Sequence, residues 1–277
     1  MIKYLLTLCC FWLYFGQIAL ASSSEYVQTH RLNLGVSLGF GGIQSPLKDG
    51  DNVTTLAIPH VTYYGERWYF DDFCLGYSLI EDRRVMLDIV GTLNTDGFFF
   101  QAGDVNRTVV AQPTSFSLTS VTPLRLSLPM EKVERDLSYL GGLALILPHP
   151  VVTVTLAHFH DISGVHNGSE SRFNLYKSME LGNHKIAIEL GAVRKSQELI
   201  NYYYQFNEKE TFLGAFLDPL PAAINKYIKL DYAYPLSRHF SIKFQIKQTF
   251  LDSQLIKGPM IDRSSLLSGF AGVEYRF

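Results

Sequence analysis

The feature that most constrains this chain is an alternation of apolar and polar residues that recurs along most of its length. Between Phe240 and Ile246 every second residue is apolar, and the residues between them are serine, lysine and glutamine. Successive side chains of a strand point to opposite faces, so the pattern predicts strands with one apolar and one polar face. Beyond the first twenty-one residues no run of 18 consecutive apolar residues occurs, and no further spanning helix is predicted.

The alternation and the turn-forming residues together predict eleven strands. Short connectors follow some strands, such as Gly65 to Arg67 and Pro235 to Arg238, while long polar stretches follow others. A barrel with both chain ends on one side of a membrane needs an even strand number, so a twelfth strand is expected near Thr114 to Val121. The eleven predicted strands are 30–43, 52–64, 66–80, 83–94, 138–148, 150–160, 172–182, 184–194, 226–235, 239–252 and 265–277.

Strand length and aromatic placement favour a membrane barrel over a soluble sandwich, which shows the same alternation. The predicted strands match the roughly 9–11 residues that cross a bilayer at a tilt, and globular strands are shorter. Aromatic residues gather near strand ends, as at 63–70 and 98–100, where an interfacial girdle would lie. We therefore predict an all-β fold, a transmembrane antiparallel up-and-down β-barrel of about 12 strands.

The first residues carry an export signal. Lys3 precedes an apolar core from Tyr4 to Phe15, and the small residues Ala19 and Ala21 form a cleavage signal. An uncleaved anchor is the alternative, but the apolar core is shorter than the roughly 20 residues of a spanning helix. We predict a signal peptide at residues 1–21 and an outer-membrane barrel at 22–277.

Charged residues in the middle of predicted strands indicate a polar interior. A charge facing lipid is costly, so these side chains are expected to face the lumen. The predicted lumen-facing residues are Glu189, Lys229, Asp231, Lys243, Lys247 and Arg276.

The composition and motifs favour a protein without catalysis. A formal net charge of -2 gives no basic surface for nucleic acid, and no motif implies a cofactor. The best enzyme candidate is His166 with Ser169, but they lie three residues apart in a predicted loop. His158 and His160 share one side of a strand, but two ligands without a third are a weak metal signal. We predict no enzyme activity and no catalytic, cofactor-binding or metal site.

Two long loops have features of their own. The loop from Ser196 to Asn225 is rich in tyrosine and phenylalanine, and we expect it to fold over the barrel mouth. The stretch from Arg125 to Arg135 predicts either a short amphipathic helix or a solvated loop.

The end of the chain resembles the C-terminal signature of bacterial outer-membrane proteins. The last ten residues read SGFAGVEYRF, with Gly272, Tyr275 and the terminal Phe277 at the positions of that signature. The resemblance implies that the barrel insertion machinery reads this strand as an assembly signal.

Three stretches of the chain match a known family: GERWYFDDFCLGYSLIED at 65–82, NYYYQFNEKET at 201–211 and the stretch from Tyr234 to Phe277. With these stretches the chain from 30 to 277 resembles the MipA/OmpV family, the MltA-interacting proteins. It implies a barrel in the outer membrane of a Gram-negative cell, surrounded by outer-membrane lipids. It also implies a scaffold that links a periplasmic lytic transglycosylase, which is a murein hydrolase, to a peptidoglycan synthase. Other family members are discussed as porins or adhesins, so a narrow solute channel or a surface adhesin is the alternative.

Overall fold

The computed structural model describes residues 30–48, 50–101, 133–207, 210–211 and 217–277, and its strands form one closed antiparallel barrel. Each strand pairs with its neighbours in sequence, and β1 pairs with β12 to close the barrel. The predicted all-β barrel with twelve strands is therefore confirmed. The strands are β1 (Arg31–Ile43), β2 (Val53–Tyr64), β3 (Trp68–Asp71), β4 (Cys74–Glu81), β5 (Met86–Leu93), β6 (Tyr139–Leu147), β7 (Thr153–Asp161), β8 (Ser169–Leu181), β9 (His184–Lys195), β10 (Ala223–Pro235), β11 (Phe240–Phe250) and β12 (Ser265–Arg276).

The two ends of the barrel differ in the length of their connections. At the turn end, short connections at 65–67, 82–85, 148–152, 182–183 and 236–239 join the strands. At the loop end lie 44–52, 94–138, 162–168, 196–222 and 251–264, which include the helices α1 (Phe98–Gln101), α2 (Gln197–Tyr204) and α3 (Ser253–Ile256). The two-residue turn 72–73 lies within the wall, beside Val61 of β2. The first strand begins and the last strand ends at the turn end, as in outer-membrane barrels whose short turns face the periplasm.

The twelfth strand does not come from the segment in which it was expected. The predicted strand 66–80 is two strands, β3 and β4, joined by a two-residue turn in which Asp72 has φ 45° and Phe73 has φ 71°. Positive φ at both central residues is the geometry of a tight hairpin turn that usually carries asparagine or glycine. Because β5 pairs directly with β6, the barrel closes without a strand from Thr114 to Val121, which lies outside the described residues.

Two further predictions fall mostly outside the part of the chain that the structure describes. The signal peptide at 1–21 lies wholly outside it. Of the segment from Arg125 to Arg135, only Val133, Glu134 and Arg135 are described, and they form no helix.

The β3–β4 hairpin is short, and β2 compensates for the edge that the hairpin leaves. On its other side from β4, β3 pairs with only three described residues of β2, Thr62 to Tyr64. The Val61 N–H faces this edge and donates to the Asp72 carboxylate at 3.0 Å. Backbone N–H groups alternate between the two edges of a strand, so those of residues two and four positions before Val61 face the same edge. Pro59 on that side has no N–H to leave unpaired, and the Thr55 hydroxyl donates to the Ala57 carbonyl at 2.8 Å. Part of this edge is thus satisfied by Asp72 of the β3–β4 turn and part by residues of β2 itself.

The two faces of the barrel wall have opposite chemistry. The outward positions carry exposed apolar side chains such as Leu38, Phe40 and Leu56, which suits contact with lipid tails. The inward positions carry buried polar side chains such as Asp88, Asn174 and Glu189. In the described residues, no helix has the length and apolar character that a membrane span requires.

Candidate functional site

The loops of the loop end fold inward and pack as a plug inside the barrel mouth. The plug joins Leu47 of the first loop, Phe99 and Phe100 of α1, Leu199 to Tyr204 of α2, and Leu255 of α3 into one buried apolar cluster. Barrel-wall residues such as Ile43 and Phe270 belong to the same cluster. Burial of this much apolar surface favours the inward arrangement of the loops.

Helix α2 carries the centre of the plug. Ser196 caps its N-terminus: the side chain accepts hydrogen bonds from the N–H of Leu199 at 3.5 Å and of Ser169 at 3.0 Å. The helix buries Leu199, Ile200 and Tyr203 completely. These residues belong to the 196–225 loop, which the sequence predicted to fold over the barrel mouth. The structure places the helix inside the barrel mouth.

His166 connects the plug to the barrel rim through a neutral imidazole. Its Nδ1 accepts from the Gly168 N–H at 2.9 Å, so the proton is on Nε2, which lies 3.0 Å from the Ser138 hydroxyl. The Tyr203 hydroxyl donates to the Asp136 carbonyl at 2.9 Å and lies 3.2 Å from the same serine. Burial lowers the pKa of His166, because the charged imidazolium would lose its hydration.

A buried ion pair ties the plug to the barrel wall. The Lys195 ammonium, at the end of β9, lies 2.6 Å from the Asp96 carboxylate, which precedes α1. The Tyr204 hydroxyl of α2 donates to the same carboxylate at 2.6 Å. Asp96 and Lys195 are both buried. The pair therefore joins the wall to two plug segments at one point.

A second buried ion pair joins two segments of the loop end, the one before β6 and the one after α2. The Arg135 guanidinium forms a bidentate pair with the Glu210 carboxylate and donates to the Gln205 carbonyl at 2.9 Å. It also lies 5.5 Å from the ring centre of Tyr202. A bidentate arginine–carboxylate pair is stronger and more directional than a single contact. It joins the segment before β6 to the loop after α2.

Below the plug, the lumen holds a small charged cavity. The lining includes Glu170, Arg172, Glu189, Lys229 and Lys247, and the cavity volume is about 80 Å³. Ligand sites usually span roughly 300–1,000 Å³. The space therefore suits a few water molecules and is too small for a sugar-sized solute.

The predicted lumen residues line the inner wall from the cavity toward the turn end. Glu189 is 1% exposed and accepts a hydrogen bond from the Tyr227 hydroxyl, and the Lys247 ammonium lies 4.1 Å from the centre of the Tyr227 ring. Further down, side-chain exposure rises from 9% at Lys229 to 30% at Asp231, 34% at Lys243 and 64% at Arg276. The lumen is thus sealed at the loop end and opens toward the turns, and we call its open lower part the vestibule.

The predicted assembly residues lie at the closure of the barrel. Gly272 pairs with Gly39 of β1, and a Cβ at Gly272 would lie 2.3 Å from the Leu38 carbonyl oxygen. The Tyr275 ring contacts Phe277 with ring centres 4.9 Å apart. The Phe277 N–H donates to the Leu34 carbonyl at 3.0 Å. These contacts fix the chain terminus to the first strand.

The histidine and the serine weighed as an enzyme site make their described hydrogen bonds to other groups and not to each other. His166 is buried in the rim network, and Ser169 donates its backbone N–H to Ser196. The structure instead pairs His158 with Ser171, with Nδ1 and Oγ 2.9 Å apart on the outer wall. The two residues meet because the register of the β7–β8 hairpin makes them cross-strand partners. Their spacing in the sequence alone does not predict this contact. No group of three or more metal-ligating side chains occurs within the described ranges.

Comparisons with known proteins agree with the barrel and its location. The family model described as MltA-interacting protein MipA matches residues 34–277. A curated relative, "Putative outer membrane protein YiaT" of Escherichia coli strain K12, is 22% identical over 245 residues, covering 87% of this chain and 91% of its own.

The solved structures that match this chain include a porin and a transporter. An anion-selective porin from Comamonas acidovorans aligns with 7% identity and a TM-score of 0.38, covering 89% of this chain and 99% of the porin. The toluene transporter TbuX of Ralstonia pickettii aligns with 9% identity and a TM-score of 0.35, covering 90% of each chain. The protein lies in the Gram-negative outer membrane, as predicted. Because the family model spans nearly the whole barrel, the chain belongs to the MltA-interacting protein MipA family.

Proposed function

We propose that this protein is a closed outer-membrane barrel that works through its periplasmic end, as a docking partner for cell-wall enzymes and without catalysis of its own. The plug is the observation that carries the proposal. Among the described residues, apolar packing and two buried ion pairs hold the plug across the loop end, which favours a closed barrel over an open pore.

The turn end offers the surface that remains for a partner. A standard protein interface buries roughly 800 Å² per partner, which short turns alone hardly supply. The vestibule adds a concave, charged wall that ends at Lys243 and Arg276, with exposed Arg83, Arg84 and Arg238 on the turns. A partner segment with acidic side chains would complement this end. The name of the family points to a lytic transglycosylase as the partner class.

A binding experiment with charge-reversed turns tests the docking function. The refolded barrel, residues 22–277, would be titrated with a purified lytic transglycosylase of the MltA class by isothermal calorimetry. Arg83→Glu with Arg84→Glu should weaken binding about tenfold, since reversing charges at an interface opposes complementary potentials. Arg263→Glu is the matched control, because Arg263 lies at the loop end with its side chain 40% exposed, and this variant should bind like the wild type. No binding by the wild-type barrel, or equal loss in the control, would contradict the proposal.

A narrow channel with a movable plug is the second candidate, favoured by the charged lumen wall. The lumen carries Lys229, Lys243 and Lys247 together with Glu189 and Asp231, as a pathway for ions would. Planar-bilayer recordings of the wild type and of Lys243→Glu with Lys247→Glu separate the two functions. Steady channels whose ion selectivity shifts in the variant would favour the channel, and a silent folded barrel would favour docking.

A further inference from the structure

The outer wall carries a groove that is polar at one end and apolar along the rest. The groove lies across β5 to β10 on the lipid-facing side, with a volume of about 440 Å³. Its apolar part is lined by Leu143, Leu145, Leu156 and Phe173. We call it the outer-wall groove. A groove of this volume exceeds the few hundred Å³ at which ligand sites begin.

Three polar side chains form a row across the loop-end side of the groove. His158 of β7, Ser171 of β8 and Arg194 of β9 are direct cross-strand partners, so their side chains lie side by side on one face. The His158 Nδ1 and Ser171 Oγ atoms are 2.9 Å apart. All three residues line the same groove as the apolar side chains.

Two cations lie at or near this row. Arg194 belongs to it, and exposed Lys226 of β10, the cross-strand partner of Ala192, also faces outward. The acids near them are Glu198 of α2, which interacts with Arg194 and with His160, and Asp252, which interacts with Lys226. The Asp252 carboxylate already accepts hydrogen bonds from the Ile224 and Gln254 N–H groups, so Arg194 is the cation of the row that can attract an anion.

The position of the row fits the headgroup level of the leaflet at the loop end. His158 lies three residues before the end of β7, and Arg194 lies one residue before the end of β9. A cation on the lipid face costs least near the membrane interface and most at the midplane. At the interface a guanidinium meets phosphate groups, for which its planar donor geometry is suited.

We propose that the outer-wall groove is a binding site for a phosphorylated acyl lipid. The phosphate lies against Arg194 and Ser171, and one acyl chain lies along Leu145, Leu156 and Phe173. The division of the groove into a cationic end and an apolar end matches the division of such a lipid into headgroup and tail. The chemistry is shared by lipid A and by anionic phospholipids.

Native mass spectrometry of the refolded barrel tests the site. The barrel in neutral detergent would be titrated separately with lipid A, phosphatidylglycerol and phosphatidylcholine. Arg194→Gln should weaken binding of the phosphorylated anionic lipids about tenfold, the worth of a charge-assisted hydrogen bond. Ala192→Trp, which fills the groove beside Phe173, should also weaken binding by blocking the acyl chain.

Lys177→Gln is the matched control, because Lys177 also lies on β8 but toward its turn end, outside the groove. Folding of each variant is checked by its heat-dependent migration in gels, and Ser171→Ala replaces Arg194→Gln if that variant does not fold. Tighter binding of lipid A assigns the site to that glycolipid, and tighter binding of phosphatidylglycerol assigns it to phospholipid. Equal binding of phosphatidylcholine, or equal loss in Lys177→Gln and Arg194→Gln, would overturn the proposal.

Discussion

Removal of the Lys195 ammonium should release the plug from the barrel wall. In the Lys195→Met variant the Asp96 carboxylate stays in its buried site without its cation. It then keeps the hydrogen bond from the Tyr204 hydroxyl, 2.6 Å away. Breaking a buried pair by removal of one partner costs about 3–5 kcal/mol, because a desolvated charge is left uncompensated. At about 1.4 kcal/mol per factor of ten, the released population rises on the order of 10² to 10³-fold.

Planar-bilayer recordings measure that rise directly, as the fraction of time in which a single barrel conducts. We expect the wild type to be almost always silent and Lys195→Met to open in bursts. Adding Asp96→Asn should return the barrel toward silence, because the uncompensated charge is then gone. Lys185→Met is the control, since Lys185 lies on the same strand, is 49% exposed and pairs with Glu180 at the turn end. A silent Lys195→Met barrel, or a double variant that conducts as often as the single, would refute the reasoning.

Two further predictions concern the rim and the strand pairing. Burial lowers the pKa of His166 below its unfolded value of about 6.5, so the plugged state loses stability as the pH falls below that value. Conductance should therefore rise between pH 7.5 and 5, and His166→Gln should abolish this pH dependence. An unchanged pH profile in the variant would argue against the role of His166. A Cβ at Gly272 would lie 2.3 Å from the Leu38 oxygen, so Gly272→Ala should lower the folded fraction in heat-modifiability gels. Gly269→Ala is the comparison, because there the nearest atom is 3.1 Å from the added Cβ, and this variant should fold better. Equal folded fractions would count against a steric cause of the folding defect.

The sequence predicted most of the barrel because each strand contacts two different environments. Lipid on one side and the polar lumen on the other enforce the period of two, which appears at 240–250 as it does at 184–195. The split at Asp72 and Phe73 escaped prediction because neither residue is the glycine or asparagine that usually marks such a turn. Their positive φ values are held by tertiary contacts, including the hydrogen bond from Val61 to Asp72.

The plug and the outer-wall row could not be predicted in the same way. Asp96 and Tyr204 are 108 residues apart in the chain, and no local pattern links them. Residues 158 and 171 lie on different strands, so their contact depends on the register of the hairpin between them. Loops have no periodicity to indicate which side they pack on, and the aromatic content of 196–225 indicated burial without a partner.

The glycines of the closing strands bear on how the barrel is completed in the membrane. Gly39 pairs with Gly272 and Gly42 pairs with Gly269, so β1 and β12 meet at two points without side chains. This junction joins opposite ends of the chain, which makes it the contact with the largest loop-closure entropy and the slowest to form. Bare backbone lets two late-arriving strands approach without interdigitation, but it also specifies their alignment weakly. Alignment then depends more on the contacts around the glycines, such as the hydrogen bond from the Phe277 N–H to the Leu34 carbonyl.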